Sequence, residues 1–76
     1  MTEEYGDYTV EKKEDGSVFL NGKAVKTIKV YDEAMTRVSV VYLDGTREKF
    51  EEYLCDNDLY VVAHMIERWL NEKEVQ

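Results

Sequence analysis

Residues 23–46 read KAVKTIKVYDEAMTRVSVVYLDGT, and the way this stretch divides decides the fold. Lys23 to Tyr31 alternates, with Ala24, Lys26, Ile28 and Val30 on one side and Val25, Thr27, Lys29 and Tyr31 on the other. A period of two is that of an extended strand. Arg37 to Leu43 is the most β-prone segment of the chain, rich in branched and aromatic side chains. Its Val38, Val40 and Tyr42 share a face while Val41 and Leu43 lie opposite, the pattern of a central strand covered on both sides. The link Asp32-Glu33-Ala34-Met35-Thr36 is polar and short enough for a longer hairpin loop.

Working outward, the chain is punctuated by Asp15-Gly16, Asn21-Gly22 and Asp44-Gly45. These dipeptides tolerate positive φ and suit the type I′ turn, whose twist matches a β-hairpin. Tyr8 to Lys12 alternates, and Ser17 to Leu20 is a short apolar run caught between two turns. Residues 46–54 conflict internally. Their composition favours a helix, yet Asp44-Gly45 calls for an immediate return strand with Thr46, Glu48 and Phe50 alternating. The turn chemistry assigns a strand over 46–51.

The carboxy-terminal part changes period. Asp58, or Asn57 before it, is a suitable N-cap. Leu59, Val62, Ala63, Ile66, Trp69 and Leu70 then fall on one stripe of a 3.6-residue helix, which must be buried against the sheet. The expected fold is α+β: an antiparallel meander of four to five strands, about 8–13, 17–20, 23–31, 37–43 and 46–51, packed by one helix over about 58–73. Residues 1–7 carry three acids and no base and read as a flexible lead, leaving 8–76 as one α+β domain.

Composition excludes several classes of function. The chain has 76 residues, 17 acids against 10 bases and a net charge of −7. Its one cysteine and one histidine make neither an internal disulfide nor an ordinary structural zinc site. Non-specific binding to DNA, RNA or anionic lipid is disfavoured, so no direct nucleic-acid or membrane partner is expected. No apolar run is long enough for a membrane span, and the acidic start lacks the charge of a secretory leader. A cytoplasmic setting follows as the expectation.

Catalytic chemistry finds little to work with. Cys55 and His64 are nine positions apart, with His64 roughly opposite the apolar stripe and pointing to solvent. Asp56-Asn57-Asp58 with Glu67 imitates part of an EF-hand loop, but Tyr60 and Val61 stand where an oxygen ligand and the turn glycine belong. The glycines are isolated, so there is no phosphate-binding loop. The expectation is a non-enzyme with no catalytic residue, cofactor or metal.

Binding is better served. Residues 44–58 hold Asp44, Glu48, Glu51, Glu52, Asp56 and Asp58 against Arg47 and Lys49, six acids minus two bases for a net of −4. Six tyrosines are many for this length, and Tyr60 and Val61 project from the first helical turn away from the stripe. Glu48, Glu51, Glu52, Asp56, Asp58 and Tyr60 are therefore the candidate partner-binding residues. Carboxylates at suitable spacing compete with phosphates for a basic groove. In size and charge the chain resembles the small acidic inhibitors that phages direct against restriction, CRISPR and other host nucleic-acid enzymes. That resemblance lies in composition and transfers no residue roles. It implies an inhibitor or decoy seated on a protein partner with a basic surface. The alternative is an accessory module, such as a homodimer, that self-associates through its open sheet face by way of the tyrosines with Val25, Val41 and Leu43.

Overall fold

The polar turns send each strand back beside the one before it. The computed structural model describes residues 1–53 and 58–75. It contains β1 (Thr2–Tyr5), β2 (Tyr8–Lys12), β3 (Val18–Leu20), β4 (Lys23–Asp32), β5 (Met35–Tyr42), β6 (Arg47–Tyr53) and α1 (Asp58–Val75). The strands form one sheet in chain order, every neighbouring pair antiparallel. The helix packs across one face, so the expected α+β meander holds, with one strand more than its upper count.

The extra strand is β1, in the segment read as a flexible lead. Glu3 pairs with Val10 and Tyr5 with Tyr8, while the Lys12 N–H donates to the Met1 carbonyl at 2.8 Å. Tyr5 packs against the core. Backbone pairing supplies what the polar sequence does not advertise.

Of the three turn dipeptides, only Asn21-Gly22 has φ positive at both positions, at 50° and 84°. At Asp15-Gly16 and Asp44-Gly45 the glycine alone is left-handed, closing a type I turn with a one-residue bulge. The predicted loop over 32–36 tightens to Glu33 and Ala34, because Asp32 pairs with Thr36 and extends both strands.

The core lies between sheet and helix. From the strands come Tyr8, Val10, Val18, Leu20, Val25, Val38, Val40 and Tyr42; from the helix come Leu59, Val62, Ala63, Ile66 and Trp69. The predicted apolar stripe is buried as expected, with Leu70 partly so. β5 is paired on both edges but covered on one face only, since Leu43 just beyond it is 62% exposed.

A β-bulge corrects the reading of β4. Val25 pairs with Tyr42, yet Thr27 pairs with Val41, so the extra residue at Lys26 shifts the alternation. Val25 consequently turns to the helix side with Ile28 and Val30 and is 4% exposed. It is therefore withdrawn from the open face, where straight alternation placed it with Thr27.

The ambiguous stretch 46–54 is a strand over Arg47–Tyr53, in register with β5 from Val41↔Arg47 to Met35↔Tyr53. Three polar clamps fix the helix. The Leu59 N–H donates to Glu52 Oε1 at 3.1 Å, His64 Nε2 lies 3.0 Å from Asp32 Oδ2, and Lys12 Nζ donates to Glu72 Oε2 at 2.9 Å.

Candidate functional site

Strand alternation divides the predicted acidic patch. On β6, Glu48 and Glu52 face the helix side with Val40 and Thr36, whereas Glu51 faces the open side opposite Arg37. The six candidates therefore do not form one surface. Asp56 lies outside the described residues, as do Cys55 and Asn57.

Glu52 and Asp58 do come together, around a phenol. Tyr8 Oη donates to Glu52 Oε2 at 2.8 Å, while the other oxygen of the same carboxylate takes the Leu59 N–H. Burial and then this hydrogen bond push the Tyr8 phenol well above the ordinary tyrosine range, and the charges of Glu52, Asp7 and Asp58 add to the shift. Among the described residues the charges that bear on this phenol are all carboxylates. Asp7 enters from the β1–β2 turn, Glu52 from β6 and Asp58 from the first turn of the helix. Gly6, beside Asp7, has φ of 58°, and a Cβ there would run into the Asp58 carboxylate. Glycine is what allows the turn and the helix start to approach.

Glu48 belongs to a second, compensated group. Tyr42 Oη donates to Glu48 Oε1 at 2.5 Å. Burial, that hydrogen bond and the Glu48 and Asp44 charges push this phenol up as well. Here a cation is present, because Lys23 Nζ stands 4.3 Å from the Tyr42 ring centroid and 3.6 Å from Asp44 Oδ2. The Thr46 hydroxyl and N–H hold the Asp44 carboxyl below its usual range, with Lys23 contributing less.

Glu51 is paired with Arg37 at 3.6 Å, both side chains exposed, and such a pair contributes little. Tyr60 is 41% exposed, and its ring lies against His64 with centroids 4.4 Å apart and planes tilted by 56°. His64 is not the free surface histidine expected from its position on the helix. It is half-exposed, drawn to Asp32 at 3.0 Å on one nitrogen and to Glu67 at 3.5 Å on the other. The two nitrogens point to different carboxylates, and no cluster suited to a metal ion occurs among the described residues.

Sequence reasoning missed two things. Asp7 was assigned to the lead, although Gly6-Asp7 between Tyr5 and Tyr8 is itself a turn signal. The basic open face is hidden in the sequence, where Lys29 stands in a run of lysines while Arg47 and Lys49 fall within the acidic segment 44–58. Once the register is known, Lys29, Ser39 and Lys49 form one row across β4, β5 and β6, with Thr27, Val41 and Arg47 in the row beside it.

No protein family, curated protein or solved structure matches this chain. No helix among the described residues is long and apolar enough to cross a membrane.

Proposed function

We propose that this protein is a small, non-enzymatic, protein-binding module that places an acidic end in the basic groove of a nucleic-acid-handling partner, as an inhibitor or decoy. The observation that carries this reading is the meeting of Glu52, hydrogen-bonded to Tyr8 and Leu59, with Asp58 against Gly6 and Asp7 beside it, and among the described residues no base is among the charges that act on Tyr8. Carboxylates supplied by three separate elements sit on a braced frame. Such a frame loses little conformational freedom when it docks, which favours tight binding. Asp56 and Tyr60, on either side of Asp58 in the chain, extend the proposed contact. Glu48 is an outer member held by Tyr42, whereas Glu51, on the open side beside Arg37, stands apart from this contact.

The likeness in size and charge to phage inhibitors of host nucleic-acid enzymes supports a counter-defence setting. A lone cysteine suits the cytoplasm, which belongs to the same proposal. Self-association through the open sheet face is the weaker reading. A symmetric face-to-face dimer would set the cations of β4–β6 against their own copies, and like charges in contact disfavour it.

The test is capture of a partner by tagged wild-type protein, followed by challenge with ~0.5 M salt and with duplex DNA. The expected partner is released by both. It is also lost with the Asp7→Asn, Asp58→Asn double variant, whose unfolding midpoint stays close to wild type. A partner that resists salt and DNA and still binds the double variant would sink the reading.

A further inference from the structure

The side of the sheet away from the helix carries the opposite charge to the chain as a whole. Across β4, β5 and β6 the registers Thr27↔Val41↔Arg47, Lys29↔Ser39↔Lys49, Tyr31↔Arg37↔Glu51 and Met35↔Tyr53 all lie on this side. Lys29, Arg37, Arg47 and Lys49 against Glu51, and against Glu33 of the β4–β5 turn, which lines one pocket with Tyr31, Met35 and Arg37, make four cations and two anions, a net of +2. On the same side of β1 and β2 stand Glu4 and Glu11, with Lys13 over the Phe19 ring of β3, so the cations concentrate on the last three strands. Two rings project from it, Tyr31 at 48% exposure and Tyr53 at 65%. Arg47 and Lys49 enter no ion pair among the described residues.

We infer that this face of β4–β6 binds single-stranded nucleic acid. Lys29 and Lys49 are two strand spacings apart, about 10 Å, with Arg47 one step along the strand from Lys49, so the cations form a cluster that several phosphates of one strand can reach. Tyr31 and Tyr53 flank Arg37 and Met35 and offer flat rings on which unstacked bases can rest. Cations interleaved with exposed aromatic rings on an open sheet is the combination that single strands use, because each base has a π-face whatever its sequence. A duplex keeps its bases stacked inside and gains only from the cations. An acidic polypeptide likewise gains from the cations and has no bases to stack.

The overall charge of −7 does not forbid this. Glu48 and Glu52 of β6 point to the helix side of the sheet, and at physiological salt the reach of exposed charges is limited to about 8 Å. A phosphate on the open face therefore responds to Lys29, Lys49, Arg37 and Arg47 more strongly than to the carboxylates around Tyr8 on the helix side. The whole-chain average hides the separation.

The experiment titrates the intact protein into fluorescent single-stranded oligothymidylate of about twelve nucleotides, the matching duplex, and an oligoglutamate of similar charge. Binding to the single strand is expected to be tightest, and log affinity should fall with log salt at a slope of about −2, as for ~3 phosphates neutralised on a single strand. Lys49→Glu should weaken it about tenfold or more and Tyr53→Ala about fivefold or more, with unfolding midpoints near wild type because both positions are exposed. Arg68→Glu, on the exposed side of the helix, changes the net charge by the same amount as Lys49→Glu and should leave affinity within about twofold. Absence of binding at low salt, equal loss in Arg68→Glu, or oligoglutamate or duplex binding as tight as the single strand would each overturn the inference.

Discussion

The carboxylate of Glu52 accepts the backbone N–H of Leu59 at 3.1 Å, tying the last strand of the sheet to the first turn of the helix. The first amides of a helix have no partner within it, and one of them is answered here from another element. Because the other oxygen of Glu52 holds Tyr8 at 2.8 Å, one side chain joins β2, β6 and α1.

Glu52 is therefore a structural residue as well as a member of the acidic end. Glu52→Ala leaves the Tyr8 hydroxyl and the Leu59 amide without their acceptor and should cost about 1–3 kcal/mol in urea unfolding. Charge reversal at Glu51 should change stability by no more than about 0.5 kcal/mol, because its pair with Arg37 is exposed. Equal effects at the two positions would contradict the assigned geometry.

The two raised phenols give stability a definite dependence on alkaline pH. A tyrosine whose folded pKa lies above its unfolded value of about 10 holds its proton more firmly in the native state. Its contribution is complete below that value and is lost as pH rises from there towards the folded pKa. The urea midpoint should thus fall above about pH 10, and more gently in the Tyr8→Phe, Tyr42→Phe double variant. Parallel profiles for the two proteins would show that these phenols are not the cause.

The bulge at Lys26 predicts a contrast between neighbours of like parity. Val25→Asp puts a charge into the core and should cost more than about 3 kcal/mol, enough to leave much of the population unfolded by circular dichroism. Thr27→Asp, on the open side, should stay within about 1 kcal/mol of wild type. Straight alternation places both residues on one face and makes their costs alike.

Ile66 is fully buried under the sheet. Ile66→Ala should remove about 2–5 kcal/mol, a large part of the roughly 4–11 kcal/mol available to a domain of this size. A loss below about 1 kcal/mol would mean that the helix is not seated as described.

What was legible in the chain follows from the range of the interactions involved. The strand from Arg37, the helical stripe from Leu59 to Leu70 and the Asn21-Gly22 turn rest on local patterns, and all three are present. The position of Val25 depends on register with Tyr42, which leaves no local trace, and the strand at Thr2–Tyr5 on pairing with Tyr8–Lys12, whose only local mark is the Gly6-Asp7 turn. The candidate site was less legible for the same reason. Glu51 and Glu52 are adjacent in sequence, yet alternation sends one to Arg37 and the other to Tyr8, where the folded chain adds the charges of Asp7 and Asp58. A run of acids in sequence is not a patch in space.

The strict chain order of the strands also sets how the molecule assembles. Each strand finds its partner a few residues away, so the sheet can zip hairpin by hairpin on the millisecond scale that low contact order permits. The helix that covers Val10, Leu20 and Val40 comes last in the chain. On a ribosome adding about 5–20 residues each second, the nascent sheet spends a second or more with its apolar side bare. That interval is when chaperones, or other half-made copies, have their opportunity to bind it.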